Sequence, residues 1–331
     1  MPGVQRHPED EALISEFPQL GDLARVAVLL NPTSGAPGAG DSSVGGPLLW
    51  PFGEPWPECS VGHWVYHREP LSEAERREWQ EMDEAREMRA RNGTGQRNVV
   101  THEEAAAQKR IMKGASALDM ITWERISTRP DSCTDPVAMV PVIQLHACDV
   151  PRAFEGRDAD LLQVLWCPND HDREDVAGGY PYGGPRLELR WRRSAEETLL
   201  PAAMPRPRRA AETYIPRPCT LSPVEARDFP EHDELPDGLQ DVVEARCEEQ
   251  DLDYHDDFAC LGGWKIGGWP SWHLTDLQRI ICSRSDCGRR MQLFLTVDSG
   301  GDPSVSVGRF GELRVFVCPD GPDHPIALNI Q

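Results

Sequence analysis

None of the 331 positions opens an apolar run of about 18 residues, the length a membrane-crossing helix needs. The first residues, Met1 to Glu16, are rich in Asp, Glu and Pro and lack a basic stretch followed by an apolar one. No membrane span and no signal peptide are therefore expected, and a cytoplasmic location is. Positive charge is also scarce: 34 Lys and Arg stand against 55 Asp and Glu, leaving a net charge of −21. Non-specific nucleic-acid binding rests on cations that neutralise phosphates, so that class is set aside. The acidity favours a basic protein partner instead. Neither G-x-S-x-G nor H-E-x-x-H occurs, so two common hydrolase signatures are missing.

What is present is Pro, Gly, Trp and Cys. The 30 Pro and 28 Gly demand many turns, and the 10 Trp, most of them beside Pro or Gly, supply large anchors for a loop-rich fold. Hydrophobic residues reach 39%, which is enough for a real core. Ten Cys without an export signal point to a reducing compartment, where spaced Cys and His more often bind metal than pair as disulfides.

Local patterns place the elements. Residues 1–28 begin as a polar, frayed segment and end in the β-branched run Arg25 to Leu30, a strand stopped by Asn31-Pro32. Residues 32–43 are a Gly/Pro/Ser loop, and the prolines of 43–60 forbid helix. Ser72 caps a helix over 72–92 with Leu71, Trp79, Met82 and Met88 as a thin apolar stripe. Thr101 with Glu104 three residues on opens a second helix to Met112, after the polar link Asn92 to Arg97. Strands are expected at Met139–Leu145, Leu161–Trp166 and Arg186–Arg192, the last by strict alternation. A linker over 194–212 and a helix over Leu235–Gln250 follow, then Gly/Trp/Pro turns and short strands over 260–331.

The chain also resembles itself. Val44-Gly-Gly-Pro-Leu-Leu-Trp50 matches Ile266-Gly-Gly-Trp-Pro-Ser-Trp272. Met139 to Leu145 matches Met291 to Val297, and Leu162 to Asn169 matches Leu313 to Asp320. The interval from Gly45 to Cys59 nearly equals that from Gly267 to Cys282, and Met139 to Cys167 nearly equals Met291 to Cys318. Only the interval Gly45 to Met139 is much longer than its counterpart, and its excess holds the two helices. Three blocks in order with matched spacings imply an internal duplication. The expected fold is α+β and mostly antiparallel β, with two pseudo-symmetric repeats that share an apolar face and a helical insertion in the first. The first repeat covers 1–193 with the insertion at about 71–130, 194–259 is linker and helix, and 260–331 is the second repeat.

Cys and His recur at matched positions. In the second copy Cys282-x4-Cys287 precedes the strands and Cys318-x5-His324 follows them, with Cys260 as a competitor for the fourth place. In the first copy Cys59-x3-His63 precedes and Cys167-x3-His171 follows. Four thiolate and imidazole donors per copy suit one or two structural zinc ions and do not suit Mg or Ca.

Other features mimic function. Gly35 to Ser42 follows a strand like a phosphate-binding loop, yet Asp41 stands where that loop needs Lys. Asp256-Asp257, Glu248-Glu249 and His255 read as solvated surface. Trp264, Trp269 and Trp272 read first as turn packing and second as a partner-binding groove.

The blocks 45–51, 141–145, 161–168, 265–270, 282–291 and 313–318 together resemble the YwqG-like bacterial family, whose members are β-rich, internally duplicated and without established activity. Leu261 to His324 is also similar to the programmed cell death protein 2 family, which acts as dedicated chaperones for a basic ribosomal protein. The x4 spacing of Cys282 and Cys287, where x2 is commoner, and His324 in place of Cys depart from those families. The expected function is a non-catalytic, zinc-stabilised module that binds a basic protein. The alternatives are an enzyme with an unrecognised site between the repeats and a toxin-neutralising immunity-type protein.

Overall fold

A computed structural model describes residues 10–91, 100–131, 133–171, 183–272, 277–308 and 310–331. The predicted link Asn92 to Arg97 lies outside the described residues. The chain divides into two compact units, Met1–Val61 with Asp135–Gln331 and, separately, Gly62–Thr134. The fold is α+β, and every pairing between the strands named below is antiparallel.

In the larger unit, one six-stranded sheet runs in the order Val224–Asp228, Arg25–Leu29, Lys265–Gly267, Gln292–Asp298, Glu312–Val317, Ala327–Ile330. A second runs Leu187–Arg192, Leu161–Trp166, Val140–His146, Ser43–Val44, Cys219–Thr220, Thr33–Ser34. Each has a register irregularity at a corresponding place, between Pro141 and Ile143 in one and between Leu293 and Leu295 in the other.

The two-residue period of a strand explains how these sheets use both faces. From Leu161–Trp166, Leu162, Val164 and Trp166 enter the central core, while Leu165 and the following Cys167 enter a separate cluster with Leu48, Trp50, Cys59 and Met139. From Glu312–Val317, Leu313 and Val315 enter the same central core. Phe316 and the following Cys318 join Trp272, Ile280, Cys282 and Met291. One apolar core thus draws on both sheets. The cysteines that end two central strands point away from it.

Some expectations need correction. Residues 10–23 are not frayed: helices Asp10–Glu16 and Pro18–Leu23 bury Leu13 and Leu20 against Phe229, Val243 and Phe258. Their apolar contacts lie far along the chain, so the local sequence looks polar. The 32–43 loop contains a short strand, Thr33–Ser34, which pairs with Cys219–Thr220. The stretch after Arg193 supplies Leu199–Pro201, paired with Leu49–Pro51, as well as Cys219–Thr220 and Val224–Asp228. The helix expected over Leu235–Gln250 spans Gln240–Glu249.

The smaller unit holds the helices Glu73–Arg91 and His102–Met112. Both expected caps form. Glu75 N–H donates to Ser72 Oγ at 3.3 Å, and Glu104 N–H donates to Thr101 Oγ1 at 3.2 Å. Leu71, Trp79 and Met82 are buried with Ile111, whereas Met88 is 63% exposed and so leaves the stripe. This unit is not only helical. Strands His63–Pro70, Glu124–Pro130 and Ala117–Asp119 pair in that order. A guanidinium fastens the sheet to the first helix: buried Arg125 donates to Glu75 at 2.7 Å and to the Ile111 carbonyl at 2.8 Å.

Candidate metal centres

The eight Cys and His residues picked out by spacing come together in two groups of four: Cys59, His63, Cys167, His171 and Cys282, Cys287, Cys318, His324. Within each group the donor atoms all lie within 4.8 Å of one another.

The second group is assembled by three short devices. Cys282 precedes a turn in which Cys282 N–H donates to the Arg289 carbonyl at 2.8 Å and Cys287 N–H to the Arg284 carbonyl at 3.1 Å. Gly288, at φ +63°, turns the chain back after Cys287 in the left-handed region where glycine is least strained. Cys318 leaves strand Glu312–Val317, and His324 follows it in a second turn. His324 Nδ1 is 3.1 Å from Cys318 Sγ and 3.5 Å from Cys282 Sγ, and Cys287 Sγ is 3.5 Å from Cys318 Sγ. A tetrahedron on zinc–sulfur bonds of ~2.3 Å has edges of roughly 3.8 Å, slightly shorter to nitrogen. The group has that size. The sulfurs are too far apart for a disulfide of ~2.05 Å, and none of the ten cysteines is joined in one.

The first group is fully buried. Cys59 ends the strand Glu58–Cys59, which pairs with Val137–Ala138. Cys167 follows Leu161–Trp166, and its N–H donates to the Arg186 carbonyl at 2.7 Å. His63 follows Cys59 by four residues, so its reach is set by the short tether Ser60 to Gly62. Cys59 Sγ is 3.3 Å from His171 Nε2. The other ring nitrogen, Nδ1, is 3.0 Å from the Gly184 carbonyl, an acceptor that places the proton on Nδ1. Nε2 then presents its lone pair to the sulfurs, the tautomer a metal-ligating histidine needs.

By themselves the crowded thiols stay protonated. The Cys59 thiol hydrogen-bonded to Cys167, and then burial, push the Cys167 thiol far above its usual value. At Cys287 the Arg289 amide favours the thiolate, but burial and the Cys318 and Cys282 sulfurs outweigh it and raise the thiol to about 11. Crowded thiols resist ionising together. A divalent cation removes that resistance, because coordinated thiols lose their protons. Two sulfurs with two imidazole nitrogens in the first group, and three sulfurs with one nitrogen in the second, are donor sets that fit zinc. Four protein donors per group would complete the tetrahedron of a structural zinc.

Cys260 is not in the second group: its Sγ lies 3.2 Å from the Pro270 carbonyl and 3.6 Å from that of Phe229. The phosphate-loop mimic satisfies itself, since Asp41 accepts from Gly38 N–H at 2.8 Å and the Ala39 carbonyl accepts from Gln144 at 2.7 Å. Trp264, Trp269 and Trp272 are all buried, as turn packing requires. His255 pairs with Glu231 at 2.8 Å, and Asp256 and Asp257 lie exposed in a short helix whose Tyr254 is buried.

Two buried polar sites escaped sequence reasoning. Lys265 Nζ, 2% exposed, donates to Asp228 at 2.9 Å and to the Trp269 carbonyl at 2.7 Å. Asp228 also accepts from the amides of Leu261 and Trp269, both at 2.7 Å. This hub ties the edge strand to the Gly267-Gly268 turn. The only local signal was a lysine beside Ile266-Gly267-Gly268. The second site is Arg314, wholly buried on the metal-group side of its strand, 4.9 Å from the Trp272 ring. Burial lowers its guanidinium to about 10, still cationic at neutral pH.

Among known proteins, no family model matches the chain, and no curated protein matches it. No helix among the described residues is long and apolar enough to cross a membrane.

Proposed function

We propose that the chain is a zinc-stabilised, non-catalytic module that binds a basic protein, related to the YwqG-like bacterial proteins and, through 261–324, to the programmed cell death protein 2 chaperones. The observation that carries the reading is the pair of closed four-donor Cys/His groups. Zinc in each would cross-link the turn at the start of a strand pair to the turn at its end. Free thiols throughout fit a reducing compartment such as the cytoplasm.

The partner's sign follows from the charge of −21. Acidic side chains are dense and exposed along 237–257, including Asp237, Asp241, Glu244, Glu248 and Glu249. Elemental analysis of protein purified without chelator tests the metal, with two zinc per chain expected. Affinity capture at low salt, read by mass spectrometry, tests the partner. A basic protein that binds the native chain and is lost when Glu244, Glu248 and Glu249 become Gln supports the reading. No basic protein above background overturns it.

A further inference from the structure

A groove of about 430 Å3 in the larger unit has a lining of two kinds. Val26, Leu293 and Phe294 supply apolar lining, while Arg25, Arg152 and Arg157 and one carboxylate, Glu155, supply the charge. The size is that of a small-molecule pocket, where a few placed polar groups fix an otherwise apolar ligand.

The arginines differ in their commitments. Arg152 is spent on Glu225 at 2.8 Å and Glu155 at 3.4 Å. Arg25 and Arg157 have no carboxylate at ion-pair distance among the described residues. The Arg25 guanidinium makes one long hydrogen bond, 3.5 Å to the Gly268 carbonyl, and that of Arg157 makes none among them. Both guanidiniums are stacked instead: Arg25 is 3.3 Å from the centre of the Trp269 ring, and Arg157 is 4.1 Å from that of Trp191. Burial draws the basicity of each down from its ordinary value, yet a guanidinium so displaced stays charged at neutral pH. Stacking holds the plane of the cation and leaves its N–H edge free. Glu234 and Asp228 act on Arg25 only from beyond ion-pair distance, and a half-buried cation without a direct partner is costly.

We propose that this groove binds a small organic anion, its carboxylate or phosphate held by Arg25 and Arg157 and its apolar body resting on Val26, Leu293 and Phe294. None of the Cys/His donors lines the groove, although Leu293 also packs in the cluster that holds Cys282 and Cys318.

Phenyl phosphate, benzoate and uncharged benzyl alcohol, titrated into the full zinc-loaded chain, test it by calorimetry. Tryptophan fluorescence gives a second readout, because Trp269 and Trp191 lie under the two cations. Saturable binding of at least one aryl anion, with none for benzyl alcohol, is expected. Arg25→Gln and Arg157→Gln should each weaken it roughly tenfold or more, as loss of a charge-assisted hydrogen bond implies. Binding by phenyl phosphate alone would assign a phosphate ligand, and by benzoate alone a carboxylate. Should a Gln variant fail to fold, Arg157→Lys keeps the charge without the planar fork and should bind less tightly than the native chain. No saturable binding of either anion, equal binding of benzyl alcohol, or unchanged affinity in the folded variants would overturn the proposal.

Discussion

Cys318→Ser should remove one zinc and soften the larger unit. The thiol sits 3.1 Å from His324 Nδ1 and 3.5 Å from Cys287 Sγ, so its loss opens the tetrahedron from two sides. The turn it anchors has little regular backbone pairing. Between Leu277 and Met291 the regular pairing is an isolated bridge, Ile281 with Arg290, helped by hydrogen bonds from the Cys282 and Met291 amides. Changing a residue that merely supports a metal ligand already costs about 10–100-fold in affinity. Loss of a ligand itself is put at ~100-fold or more, about 3 kcal/mol. At about 2–4 °C per kcal/mol for a unit of this size, the melting temperature should fall by roughly 6–12 °C. Elemental analysis and thermal unfolding, run side by side, read both effects. Cys260→Ser is the control, because that sulfur faces backbone carbonyls and should leave both zinc ions in place. A Cys318→Ser protein that keeps two zinc per chain and the native melting temperature would refute the assignment.

Asp228→Asn leaves Lys265 buried without its counter-charge and should cost about 3–5 kcal/mol in denaturant unfolding; a loss below ~1 kcal/mol would contradict the hub. Gly268→Ala should cost at least ~1–3 kcal/mol, since Gly268 sits at φ +77° and a Cβ there would run into the Asp228 carboxylate. In the smaller unit, the Thr101 amide, aided by Arg89 and Arg86 and opposed by burial, holds the Glu104 carboxyl down at about 2. Its folded value lies below its unfolded one, so its stabilisation is full above about 4.5 and is lost as pH falls toward 2. The stability gap between the native chain and Glu104→Gln should therefore close over that range, and a carboxyl titration midpoint near 4.5 by NMR would contradict it.

The parts legible in the sequence are those coded by short-range pattern. Strict alternation marked Arg186–Arg192, and the observed strand is Leu187–Arg192. Thr101 marked a helix start because a capping hydroxyl and its carboxylate lie three residues apart, and Ser72 because a capping hydroxyl precedes the acidic first-turn residues Glu73 and Glu75. The eight donors were legible because each knuckle needs its pair within a turn's length, and matched spacing joined the pairs across the strands. The strands of the smaller unit were hidden. His63–Pro70 and Glu124–Pro130 are polar on much of their length, and Arg125 is buried only because Glu69 and Glu75 meet it.

By itself, then, the sequence determined the β-rich class, the helix caps and which eight Cys and His residues gather in two groups, since each depends on residues a few positions apart or on matched spacing. Tertiary structure decided the rest. It alone joined Asp228 to Lys265, Cys219 to Val44, and Arg25 to the groove that holds Arg157. Such juxtapositions are set by which distant strands pair and which faces they bury. A buried charge is stable only beside a partner that the fold brings to it, and no local pattern records that partner's position.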